Sequence, residues 1–220
     1  MTSDLGAGFE VETLENRSPI HKSVQHFHSC STYEEFVSAL YCVMDEIIFK
    51  LEETGDVGFE SQKLEDGITK WICGMLHMVD IDANPVAVNG NTDLTVSQRR
   101  TGFKWICEAK VLRVSASMNH LYGGLCQHST RYAVASSRQK HGGLIVYNYK
   151  DMTSKRVDEW KSYLLQNASN KHFEYFKDLK ECEFRVGAEN GFYTKHNHIK
   201  SGKEIIVRHF FVTMHHEPLK

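Results

Sequence analysis

Asn91-Thr92-Asp93-Leu94-Thr95-Val96-Ser97 and, beyond a short polar turn, Phe103-Lys104-Trp105-Ile106-Cys107-Glu108-Ala109-Lys110-Val111-Leu112 both alternate with the two-residue period of a β-strand. In the second run Phe103, Trp105, Cys107, Ala109 and Val111 make one apolar face. Glu108 and Lys110 fall together on the other, because side chains two apart share a face. In the first run Leu94 and Val96 oppose Asp93, Thr95 and Ser97. A hairpin closed over residues 98–102 and centred near Arg100 sets Asp93 across from residues 106–108. Two carboxylates and a lysine then share one sheet face, a cluster that repels itself unless a cation or a substrate sits there. A plainer reading is also open. Glu-x-Lys is the pattern of a surface pair worth a few tenths of a kcal/mol, and Asp93 suits a turn after Asn89-Gly90.

Working outward, residues 83–88 predict a short first strand, with Pro85 placing it at an edge or a strand start. Before it, residues 62–79 carry Leu64, Ile68, Trp71, Ile72, Met75 and Val79 at helical spacing. A longer helix over residues 32–53, capped by Ser31 or Thr32, buries Phe36, Leu40, Val43, Met44, Ile47, Ile48 and Leu51. Residues 1–30 are polar and aperiodic and predict an irregular arm, leaving 31–220 as a single domain with its core at about 62–168. After Leu112 a helix is expected over residues 120–137, with Gly123-Gly124 signalling close approach to another backbone. Gly142-Gly143 then opens Leu144-Ile145-Val146-Tyr147, an apolar run of the kind buried on both faces. A helix over 153–166 and strands over 182–186, 192–196 and 204–214 complete an α/β domain with a central mixed sheet flanked by helices.

The 220 residues suffice for one sizeable core. A net charge of −2 gives no overall basic signature, so a nucleic-acid partner has to be met by a local patch. Six cysteines without a C-x-x-C pair fit reduced thiols better than a disulfide scaffold or a zinc site. No run has the length of a signal-peptide core or a membrane span, and a cytoplasmic protein is expected.

The order helix, strand, Asp-bearing strand, Glu-x-Lys strand, helix, buried strand resembles the PD-(D/E)xK phosphodiesterase superfamily, whose restriction-endonuclease-like core runs αβββαβ. Thr92-Asp93 and Glu108-Ala109-Lys110 match the two halves of the motif, with threonine where the family more often has proline. The helix carrying Gly123-Gly124-Leu125-Cys126-Gln127 through Arg131-Tyr132 is similar to the family's glutamine-bearing helix. Its Q-x-x-x-Y form is not met, since Arg131 rather than Tyr132 is one α-helical turn beyond Gln127. The resemblance spans about residues 62–160.

It implies a Mg²⁺- or Mn²⁺-dependent nuclease hydrolysing DNA. Asp93, Glu108 and the Ala109 carbonyl are the hard oxygen ligands such a cation takes. Lys110 holds the attacking water or offsets developing charge, and Gln127 supports it. Glu65, from the preceding helix, is the third acid, with Asp66 and Glu60 as rivals; stabilising a helix N-terminus is the alternative for Glu65. Arg99, Arg100, Arg131 and Arg208 are the candidate phosphate contacts. His196 and His198 share a strand face and could grip a metal or form a solvated loop pair. A homodimer suits paired cuts, and a larger defence or processing complex is a further partner. A non-catalytic nucleic-acid-binding member of the fold and a protein-interaction or inhibitor protein are the rival functions.

Overall fold

Pro19, whose fixed φ suits a first helical turn, opens α1 (Pro19–Ser29), which lays Phe27 into the core at 1% exposure. The computed structural model describes residues 19–54, 64–84, 93–113, 115–150, 152–168, 175–176, 178–184 and 190–214. The polar composition predicts an irregular arm through residue 30; instead residues 19–29 are helical, because Val24 and Phe27 find an apolar surface to cover. Thr32-Tyr33-Glu34-Glu35 is a capping box. The Thr32 hydroxyl accepts the Glu35 amide at 3.2 Å, and the Glu35 carboxylate accepts the amides of Ser31 and Thr32 at 2.8 and 3.0 Å. It starts α2 (Tyr33–Thr54), which buries the predicted apolar stripe, and α3 (Leu64–Met78) follows.

Three antiparallel strands come next: β1 (Asp82–Asn84), β2 (Leu94–Gln98) and β3 (Phe103–Leu112). Gln98 faces Phe103 and Leu94 faces Cys107, so the hairpin closes where the alternation places it. Pro85 and Asn89-Gly90 lie outside the described residues, as do Glu60 and Pro218. Next, α4 (Met118–Gln127) crosses over to β4 (His141–Asn148), which runs parallel to β3 and is buried at every position. After α5 (Thr153–Asn167) come β5 (Lys180–Cys182), β6 (Gly191–Asn197) and β7 (Glu204–Thr213). The seven-stranded mixed sheet has the order β1-β2-β3-β4-β7-β6-β5. Only the β3–β4 and β4–β7 pairs are parallel.

Each face of the sheet carries its own core. Trp105, Cys107, Ala109, Ile145, Tyr147 and Phe210 pack against α1, α2 and α3. Leu112, Leu144, Val146, Val207 and Phe211 pack against α4 and α5. β4 is buried on both faces, as its continuous apolar run predicts, because helices cover it on both sides.

The helix expected to continue to residue 137 ends at Gln127. A π-helical turn, His128–Tyr132, follows, in which the Ala133 amide reaches back to the His128 carbonyl at 2.9 Å. From Ala133 the chain is extended, Ala135 takes a φ of 49°, and the Gln139 side chain accepts the Val134 amide at 2.9 Å. The turn drops His128 onto the sheet, where its Nε2 is 3.2 Å from the Ile106 carbonyl. Gly142 makes room for it, since a Cβ there would lie 1.9 Å from that nitrogen. Gly142→Ala therefore expels the imidazole, and thermal unfolding is expected to show a loss of about 2–3 kcal/mol. An unchanged melting temperature would mean that the contact is not tight.

Candidate active site

Strand β3 outlasts its neighbour. Leu94 opposite Cys107 is the last β2–β3 pair among the described residues, and β3 continues through residues 108–112. Beyond that pair, two backbone amides on the β2 side of β3 are taken by carboxylates. Asp93 Oδ2 accepts the Ala109 amide at 2.7 Å, and Glu65 Oε2 accepts the Val111 amide at 3.2 Å. Asp93 thus continues the hairpin register to the level of Glu108. Glu65 arrives from the first turn of α3, which is tied to the sheet by a 3.0 Å hydrogen bond between the hydroxyls of Thr69 and Tyr147.

Lys110 closes the group. Its Nζ donates to Glu108 Oε1 at 2.7 Å, to the Ala109 carbonyl at 2.8 Å and to Glu65 Oε1 at 3.4 Å. Both Glu108 and Lys110 are buried, at 3% and 8% exposure, so the pair is largely out of water. Above the lysine lies Gly124 of α4, where a Cβ would meet Lys110 Cγ at 2.8 Å and Cε at 3.0 Å. Gly124 thus answers to a side chain rather than, as expected, to another backbone, and a Cβ at Gly123 would meet nothing within 4 Å.

Three carboxyls surround one ammonium, and their protonation reflects it. Burial, then the charge of Asp93, pushes Glu108 up to about 7. Burial raises Asp93 and Glu65 above the usual carboxylate range as well. For Lys110 burial pulls down, but its hydrogen bond to Glu108 and the three negative charges outweigh it, and the ammonium is held above its ordinary value. Glu108 Oε2 is buried without a hydrogen-bond partner among the described residues. An orphaned carboxylate oxygen beside two further acids fits a cation. Among the described residues no three His, Cys, Asp or Glu side chains form a ready-made metal cage. A Mg²⁺ site built from one or two carboxylates and substrate oxygens requires no such cage.

The remaining predicted residues are dispersed. Gln127 is the last residue of α4, one turn past Gly124 and half-buried; the hydrogen bonds joining Glu65, Asp93, Glu108 and Lys110 do not include it. Asp66 is exposed. Arg131 is exposed in the π-turn, whereas Tyr132 points inward at 7% exposure. Arg99 and Arg100 occupy the hairpin turn, at the far end of β2 from Asp93. There Arg99 pairs with Asp82 at 3.4 Å and Arg100 donates to the Ser29 carbonyl at 2.9 Å and to the Cys30 carbonyl. A pocket beside them, lined by Phe27, His28, His77, Asp82, Arg99 and Arg100, therefore has its arginines already engaged. Arg208 is 1% exposed, pairs with Asp45 of α2 and lies over the rings of Tyr41 and Phe210. It serves the core on the opposite face from Lys110.

His196 and His198 are buried, not solvated. With His128 and His209 they make a group of imidazoles on the α4 side. Burial drives His128 down to about 4 and both His196 and His209 down to about 3. The Trp160 indole donates to His209 Nδ1 at 3.1 Å, which leaves its Nε2–H for the Thr194 hydroxyl at 2.9 Å. Nothing in the sequence signalled His128 as a neighbour of β3. The Gly142-Gly143 pair was the one available mark of something close above β4.

No family model matches the chain, and comparison with curated proteins and with solved structures finds no match either. Among the described residues no helix is long and apolar enough to cross a membrane.

Proposed function

We propose that the chain is a divalent-metal-dependent nuclease that hydrolyses phosphodiester bonds in DNA, built on a restriction-endonuclease-like core. The observation that carries this reading is the buried, partnerless Glu108 Oε2, gathered with Asp93, Glu65 and a single lysine where β3 runs past β2. The succession α3-β1-β2-β3-α4-β4, with β3 and β4 parallel neighbours, supports the αβββαβ assignment.

Asp93, Glu108 and the Ala109 carbonyl would hold Mg²⁺ or Mn²⁺, with Glu65 as an outer acid. When bound, such a cation polarises the phosphodiester and lowers the pKa of a coordinated water. Asp93 is oriented by the Ala109 amide and lies against the Glu108 carboxyl. Lys110 offers positive charge to the transferring phosphoryl group. Gln127 and the exposed Arg131 would meet the DNA from the α4 side, and a homodimer would supply the second cut of a duplex.

The test is incubation of the purified protein with supercoiled plasmid, linear duplex and single-stranded DNA in Mg²⁺, Mn²⁺ or EDTA. Cutting with either metal and none in EDTA is expected. DNA retention without metal-dependent cutting would favour the non-catalytic reading, and cutting in EDTA would overturn the mechanism.

A further inference from the structure

The acceptors of the Lys110 ammonium are Glu108 Oε1, the Ala109 carbonyl and Glu65 Oε1. Two of these three groups, Glu108 and the Ala109 carbonyl, are cation ligands in the reading above, and Glu65 is its outer acid. An ammonium 2.7 Å from Glu108 Oε1 and 2.8 Å from the Ala109 carbonyl would stand beside a divalent ion held by Glu108 Oε2 and that same carbonyl, and the two like charges compete for one cluster of negative oxygens. The lysine stem is also housed. Gly124 leaves a recess over Lys110 Cγ and Cε that any side chain at 124 would fill, with Leu144 bounding the same space 3.3 Å from the missing Cβ.

We propose that Lys110 is an internal plug of the cation site, its ammonium competing with the divalent cation for the Ala109 carbonyl and for the negative charge of the same carboxylates, while Gly124 provides the recess in which the lysine stem rests. The proposal builds on the nuclease reading and adds a regulatory step to it. In the plugged state Lys110 offsets the three carboxylates and keeps the group stable without metal. Cation entry expels the ammonium, and the freed lysine, a point charge on a flexible four-carbon stem, becomes available to an incoming phosphate. Metal loading and lysine release are then one event, and the free protein holds its cation weakly.

The experiment is Mn²⁺ binding by calorimetry to the wild type, Lys110→Met and Gly124→Ala, without DNA, with thermal unfolding to establish that each variant is folded. Lys110→Met removes the competitor, and Gly124→Ala fills the recess and dislodges it. Both are expected to bind Mn²⁺ at least tenfold tighter than the wild type, and Glu108→Gln in either background is expected to abolish the binding. Wild type and Lys110→Met binding equally well would overturn the plug and leave the nuclease reading standing. Absence of Mn²⁺ binding in every protein would overturn both. Should Gly124→Ala fail to fold, the Lys110→Met comparison alone decides.

Discussion

Asp93→Asn is expected to lower DNA cleavage by about a thousandfold or more, the loss of a directly bound cation ligand, while leaving the melting temperature unchanged or slightly higher. The two effects separate because Asp93 has two duties. Its Oδ2 accepts the Ala109 amide at 2.7 Å, and an asparagine carbonyl oxygen can do the same. Its charge, by contrast, works against the fold. Asp93 is the second-largest reason, after burial, that Glu108 is pushed up to about 7. Removing that charge lets the Glu108 carboxyl fall back toward its usual range and pair more cleanly with Lys110. Such a trade of stability for chemistry is the mark of a functional site. Plasmid cleavage in Mn²⁺ and thermal unfolding, run on the same preparation, check it. Retained cutting would remove Asp93 from the chemistry, and a clear drop in melting temperature would make its carboxylate structural.

The second large effect is on stability in acid. His128, His141, His196 and His209 are buried, and burial drives them down to about 4, 3, 3 and 3. Their folded values lie below the unfolded value of about 6.5. The stability they permit is complete above that value and is lost as pH falls below it, because the unfolded chain then takes up protons the folded one refuses. Glu108, raised to about 7, acts in the opposite sense over the same window. Asp93 and Glu65, raised as well, act with Glu108, and His198, lowered, acts with the other imidazoles; the histidines outweigh the carboxyls and leave a net loss of about a few kcal/mol between pH 7 and pH 5. That is a large part of the roughly 5–15 kcal/mol stabilising a domain. Cooperative acid unfolding near pH 5 is expected in urea titrations at stepped pH. The bond from the Trp160 indole to His209 Nδ1 is lost at the same time, since a protonated ring cannot accept it. Equal stability at pH 7 and pH 5 would mean that these imidazoles reach water in the folded protein.

Much of the site was legible because it is local. The two-residue period and a short turn determine which residues of β2 and β3 face one another, and that alone carries Asp93 to the level of Glu108. Glu65 was reached only through the family resemblance, since no local rule says that the first turn of α3 ends beside Val111. Arg208 misled for a physical reason. An arginine in an apolar strand can reach a ligand or pair internally, and here it is buried against Asp45 and aromatic rings, with Nε and Nη1 left without a hydrogen-bond partner among the described residues. The π-turn was invisible because its cause is tertiary: His128 is drawn down to the Ile106 carbonyl across a gap that Gly142 leaves open. α1 went unread for a similar reason, as its few apolar residues became a stripe only against a core they do not encode.

The strand edge beyond Leu94 carries a further consequence, for aggregation and for inheritance. Unpaired amides on a sheet edge are a template for the strand of another molecule, and charged side chains are a common guard against it. Glu65 and Asp93 occupy the amides of Val111 and Ala109, so they shield this edge whatever else they do. Removing both invites strand addition between copies. If the proposed nuclease reading holds, a descendant of this chain that abandoned catalysis would still be held to acids at 65 and 93 by solubility. Glu108 guards no edge amide, its carboxylate meeting Lys110 and Asp93, and under the proposed nuclease reading drift away from catalysis would register there first.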